Sequence, residues 1–195
     1  MALPAPADSG GAAYGLSWSE GYTERVRVSL GSFCLFLLIA CGNESAVPVA
    51  AAPSAVLPAD LFPSSPPPPA HEIEDVKKTA KTGDDVVLQA QVGGRKQWQV
   101  EGKAIFVVID PVLESCDEME GDTCKTPWDF CCVPKEQITA KLATVRVVGA
   151  DGQPVAGSVQ GAHGLRPLAH VVVAGKVQSN DGSNLVVDAK QIWVK

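Results

Sequence analysis

Four cysteines stand within seventeen residues, CDEMEGDTCKTPWDFCC at positions 116–132, and two of them are adjacent. Thiols this crowded suit three chemistries: a metal centre, thiol–disulfide exchange, or a structural crosslink. The spacing is C-x7-C-x6-C-C. It lacks the C-x2-C pair by which zinc sites draw two ligands from one turn. The same gap removes the C-x-x-C exchange motif. Asp117, Glu118, Glu120 and Asp122 lie among the cysteines. They do not follow the EF-hand order needed for Ca²⁺, and read as a solvated acidic face. Which chemistry the thiols carry depends on the compartment, and that is written near the other end of the chain.

Residues 25–41 read RVRVSLGSFCLFLLIAC. Arg25 and Arg27 precede an apolar run from Val28 to Ala40. The run is shorter than the roughly 20 residues that span a bilayer as a helix. A positive, then apolar, then small-residue segment is the pattern of a secretory signal. Its end, Leu38-Ile39-Ala40-Cys41, resembles the lipobox of bacterial lipoproteins at all four positions. That resemblance implies cleavage before Cys41, lipid on its thiol and acylation of the new amine. Two or more acyl chains hold a protein stably on a membrane. Gly42 in place of an aspartate implies, by resemblance to sorting in diderm bacteria, the outer membrane. Asp8, Glu20 and Glu24 make the preceding segment long and acidic for a signal, so the working start is expected nearer Arg25. Residues 1–40 are thus the expected signal region.

The reading changes the cysteine count. Cys34 would leave with the signal and Cys41 would carry lipid. Cys116, Cys124, Cys131 and Cys132 remain, an even set in a compartment where thiols oxidise. A Cys131–Cys132 bond would close a strained small ring. Two pairings stay open: Cys116–Cys131 with Cys124–Cys132, or Cys116–Cys132 with Cys124–Cys131. Each crosslink would contribute about 3 kcal/mol by restricting the unfolded chain. The expectation is a disulfide-stapled loop, with a zinc site on the same four cysteines as the alternative.

The elements that must position this loop lie on either side of it. Residues 41–70 form an expected tether after the lipidated cysteine. From 43 to 70 the chain holds eight prolines, which fix φ and remove backbone donors. Such a segment spans about 80 Å when extended. Residues 71–195 are the expected folded domain. His71–Lys81 suits a short helix with Ile73, Val76 and Ala80 on one face, stopped at Gly83. Alternation from Val86 to Val92 predicts a half-buried strand, and Gly93-Gly94 a turn. AIFVVI at 104–109, Thr144–Val148, Val171–Val177 and Leu185–Val194 predict four more strands, the last bending near Lys190 or Gln191. Asp151-Gly152 is a hairpin signal before a short edge at Pro154–Val159. GAHGLRPLAH at 161–170 leaves room for one helical turn between the third and fourth strands. The expected class is all-β with minor helix, a small OB-like five-stranded Greek-key barrel. The cysteine-rich loop, 110–135, falls between strands 2 and 3. GDTCKTPWDFCC resembles a motif of uncharacterised bacterial secreted proteins with an OB-like C-terminal half, which implies fold and location but no activity.

No nucleophile elbow, H-E-x-x-H or P-loop is present. A composite of His163, Asp110 and Asp129 has nothing in the spacing to assemble it. Net charge of −6 and few aromatics disfavour nucleic acid. The function expected is a non-enzymatic envelope lipoprotein, anchored to the membrane by lipid. It would bind an envelope protein or polysaccharide, or serve as a structural module. The alternatives are a metal-binding module on the cysteine–acid loop and a carbohydrate- or oligomer-binding OB-like domain. No cofactor is expected apart from zinc under the first alternative. The contact residues expected are Trp128, Asp129 and Phe130 on the loop, with Asp110 at its root.

Overall fold

The structure, a computed structural model, describes residues 54–195. The expected signal, Cys34 and the expected lipid site at Cys41 lie outside the described residues. Five strands close into a barrel. They are β1 (Asp85–Val92), β2 (Ile105–Ile109), β3 (Leu142–Val147), β4 (His170–Asn180) and β5 (Leu185–Val194). The order around the barrel is β1-β2-β3-β5-β4, with β4 returning to β1. Every pair is antiparallel except β3 with β5. This is the order of an OB-like barrel, and all five expected strands are in it. One 3-10 turn, Ala162–Gly164, falls where GAHG predicts it. The expected edge after the Asp151-Gly152 turn consists of the isolated bridges Val148–Pro154, Lys103–Ala156 and Ser54–Ser158 rather than a strand.

Alternation builds the interior. Leu88, Ala90 and Val92 of β1 are buried, as are Val171, Val173 and Val177 of β4. On β5, Leu185, Val187 and Ala189 are buried, and so is Ile192. A period of two would put Gln191 inside instead. The register shows how the phase is reset: Ala174 pairs with Gln191 and Gly175 with Ala189, leaving Lys190 as the extra residue of a bulge. The bulge sits where the bend is expected. Opposite it, Gly175 is required, because a Cβ there would collide with the Asp188 carbonyl. On the outer surface of the parallel β3–β5 seam, Arg146 makes a two-pronged bond to Asp188, at 2.6 and 3.1 Å.

Two short helices lie on the barrel. α1 (Ile73–Thr79) buries Ile73 and Val76 as its spacing predicts. α2 (Lys135–Lys141) lies within the long β2–β3 connection, where only a loop is expected. Lys77 of α1 is buried and donates to the carbonyls of Thr139, at 2.6 Å, and Ser183, at 2.8 Å. Burial lowers its pKa.

The proline-rich segment behaves in two ways. Residues 54–70 contain neither helix nor strand, as the prolines dictate. They nevertheless lie on the barrel. Leu61 is 1% exposed and belongs to the core, and its carbonyl accepts the Ile192 N–H at 2.6 Å. Phe62 stacks on His163 with ring centres 4.2 Å apart. Ala55 donates its N–H to the Ser158 carbonyl at 3.0 Å. The packed unit therefore begins ahead of residue 71. Among the described residues, no helix is long and apolar enough to cross a membrane.

Candidate functional site

The cysteine loop is held to the barrel by the turn it packs on. Gly93 and Gly94 end β1 with φ of 148° and 96°. Their lack of side chains is what admits the loop. A Cβ on Gly93 would meet the Trp128 carbonyl at 2.6 Å and the Phe130 ring at 3.2 Å, and one on Gly94 would meet Leu142 and Ile109. The Gly94 N–H donates to the Trp128 carbonyl at 2.7 Å, and Trp128 Nε1 donates to the Lys96 carbonyl at 3.1 Å. Phe130 is fully buried and takes a left-handed conformation, φ 56°. A bulky residue holds such a φ only when its surroundings over-determine it, and here the buried ring does so.

Inside the loop the acids and Ser115 set the cysteines. Ser115 begins the 3-10 turn Cys116–Glu118, and Glu118 Oε2 accepts both its N–H and its hydroxyl, at 2.7 and 2.8 Å. Asp122 accepts the N–H of Cys124 at 3.1 Å. Asp129 accepts the N–H of Cys131 at 3.0 Å and the hydroxyl of Thr126 at 2.9 Å. Each aspartate thus closes an Asx turn two residues ahead of itself, and each turn aims a cysteine. The D-x-C spacing at 122–124 and 129–131 is the sequence trace of this. Asp117, Glu118, Glu120 and Asp122 are all exposed, as a solvated face requires, and Glu118 and Asp122 hold turns as well.

The four thiols converge. Cys131 Sγ lies 3.6 Å from Cys116 Sγ, 3.7 Å from Cys124 Sγ and 4.0 Å from Cys132 Sγ. No S–S bond joins them, and all four are free thiols. Ligand atoms of Cys116, Cys124, Asp129 and Cys131 fall within 4.8 Å of one another, as do those of Cys116, Asp122 and Cys132. Cys116 is fully buried, Cys124 half-buried, and Cys131 and Cys132 exposed. Burial raises the pKa of Cys116. The adjoining thiols of Cys116 and Cys124, then Asp129, push that of Cys131 far above the ordinary thiol range. A reactive exchange cysteine needs the opposite shift.

The other expected contact residues separate by burial. Trp128 is half-exposed and Asp129 is occupied within the loop. Phe130 and Asp110 are both 0% exposed, so neither offers a contact surface. Asp110 instead caps α1 from across the fold. Its carboxylate accepts the N–H of Ile73 at 2.5 Å and that of Glu74 at 3.1 Å, with Lys141 Nζ 3.9 Å away. His163, Asp110 and Asp129 thus serve three separate purposes: stacking on Phe62, capping α1, and closing the turn at Cys131.

Spacing alone does not reveal a groove beside the loop. It has a volume of about 630 Å³ and lies between the β1–β2 connection, Trp128 and residues 158–160. Gln97, Gln99 and Gln160 line it with Trp128, Trp98, Ser158, Lys96 and Glu101. Gln99 accepts the Ser158 hydroxyl at 3.0 Å, which fixes one amide. Trp98 is nearly buried at 7% exposure, so Trp128, half-buried, is the more accessible of the two rings.

Comparison with protein-family models, with curated proteins and with solved structures returns no match to this chain.

Proposed function

We propose that this chain is a lipid-anchored protein of the bacterial cell envelope. On this reading the OB-like barrel is a non-enzymatic binding module, and the groove beside the cysteine loop takes a polysaccharide. The observation that carries the reading is the composition of the groove. One partly exposed indole, Trp128, lies among three planar amides and two serines, with one cation, Lys96, matched by one acid, Glu101. Sugar rings present C–H faces that pack on an aromatic ring, and hydroxyls that pair with amides. Concave sites with a few placed polar groups suit such ligands. A balanced, mildly acidic chain does not suit a phosphate backbone.

Retention on purified envelope polysaccharide tests the groove. Trp128→Ala should weaken binding about five- to tenfold, equivalent to about 1 to 1.4 kcal/mol. Unchanged binding would remove the groove from the reading. Retention of an envelope protein with no polysaccharide affinity would replace the ligand class. The anchor has its own test: Cys41→Ser should abolish labelling by a fatty-acid probe, and persistent labelling would refute it.

A second reading concerns how the loop is closed when oxidised. Cys131 is the near neighbour of both Cys116 and Cys124. Oxidation must therefore choose between Cys116–Cys131 and Cys124–Cys131, the two pairings the spacing allows, with Cys132 taking the remaining thiol. A mass four hydrogens below the reduced chain, lost on reduction and alkylation, is the result expected of that form, which leaves no thiolate to hold a metal.

A further inference from the structure

We infer that the reduced loop is a tetrathiolate metal centre, with Cys116, Cys124, Cys131 and Cys132 as ligands to one zinc ion. The inference goes beyond the groove and does not depend on it. It begins with the distances around Cys131: 3.6, 3.7 and 4.0 Å to the other three sulfurs. Two disulfides would give each sulfur one partner at about 2.0 Å and leave the others farther away. A common centre does the reverse and draws the sulfurs toward one separation: Cys116 and Cys131 each lie within 4.8 Å of both Cys124 and Cys132, so a tetrahedral site asks only that Cys124 and Cys132 close on each other. Four sulfurs at about 2.3 Å from a tetrahedral zinc ion lie about 3.8 Å apart. The three separations around Cys131 bracket that value.

The surroundings fit the same centre. Ser115 with Glu118, Asp122 and Asp129 pin the backbone at Cys116, Cys124 and Cys131. Cys116 forms the buried floor, and the more exposed sulfurs leave a way in. Asp129 is close enough to compete as a ligand. Both its oxygens, however, already accept hydrogen bonds, from Thr126 and from Cys131. It is thus a positioning residue, and Cys132, 4.0 Å from Cys131 and grouped with Cys116, supplies the fourth sulfur. Zinc fits better than calcium or magnesium because thiolates are soft donors. Binding releases the thiol protons to solvent and oxidises nothing.

The test uses the full chain, prepared with its thiols reduced and also isolated from envelope fractions. The reduced chain should retain one equivalent of zinc through gel filtration. Replacement by Co²⁺ should produce thiolate-to-cobalt charge transfer and the intense visible bands of a tetrahedral site. Cys124→Ser and Cys132→Ser, at the less buried positions, should each weaken zinc binding roughly a hundredfold or more, while Asp129→Asn should change it less than about tenfold. The cobalt spectrum of the unsubstituted chain needs no variant to fold. No zinc retained by the reduced chain, or an octahedral cobalt spectrum, would overturn the site. So would an envelope-derived chain that carries four fewer hydrogens and no metal. Asp129→Asn losing as much affinity as Cys132→Ser would overturn the four-sulfur assignment in favour of three thiolates and a carboxylate.

Discussion

Asp110 offers the sharpest test of how the β2–β3 connection is tied to the fold. Its carboxylate is fully buried and accepts two N–H groups at the start of α1, which has no side-chain cap of its own. Asp110→Ala leaves both donors without an acceptor. Each buried orphan costs about 1 to 3 kcal/mol, so the variant should lose about 2 to 4 kcal/mol, with part of one donor's loss recovered by water. Asp110→Asn keeps one acceptor and should lose about half as much. The pH dependence has a definite sign. Burial raises the folded pKa above the ordinary 3.8, against the lowering by the Ile73 and Glu74 N–H groups. The folded state therefore holds the proton more tightly than the unfolded state. The contribution of this titration is fully present below the ordinary value and is lost as pH rises through the folded one. The advantage of the unsubstituted chain over Asp110→Asn should accordingly be larger in acid than at neutrality. Equilibrium urea unfolding, followed by tryptophan fluorescence at several pH values, measures both effects. A loss below about 1 kcal/mol for Asp110→Ala would refute the capping argument. An advantage over Asn that grows with pH would show that the two N–H bonds outweigh burial.

Two further substitutions probe the packing that carries the site. Leu61→Ala should lower stability by about 2 to 5 kcal/mol in the same unfolding assay, because it empties a position only 1% exposed; a change within 0.5 kcal/mol, as for a surface residue, would show that the proline-rich segment does not close the core. Gly94→Ala should cost about 2 to 4 kcal/mol and shift the Trp128 emission, since φ is 96° and the new methyl would press on Leu142 and Ile109. An unchanged spectrum and midpoint would mean that the loop does not depend on the close approach at this turn.

The barrel is readable in the sequence because its information is local. Each strand has a two-residue period or an unbroken apolar run. Even the bulge announces itself, since Ala189 and Ile192 cannot both face inward in regular phase. The helix α1 is readable from Ile73 and Val76 for the same reason. What is not readable is made by single side chains acting at a distance. Asp110 caps a helix 37 residues earlier in the chain, and nothing in Ile-Asp-Pro distinguishes that from a turn before proline. Leu61 stands among prolines that exclude helix and strand but do not determine where one leucine goes. The helix α2 has no buried residue, so it carries no apolar stripe to signal its presence.

The cysteine loop lies between these two cases. Its turns are local: Asp122 and Asp129 each stand two residues before a cysteine and accept its N–H. What brings Cys116 to Cys131 is a longer path. Gly93 and Gly94 leave room for Trp128 and Phe130, Phe130 buries its ring there, and the backbone after it turns the last two cysteines back toward the first. Trp128 belongs to both arrangements, since its carbonyl ties the loop to Gly94 while it also lines the groove. The state of the four sulfurs and the shape of the groove therefore meet in one residue. Loss of the thiol centre should loosen that wall of the groove before it unfolds the barrel, whose five strands close without it.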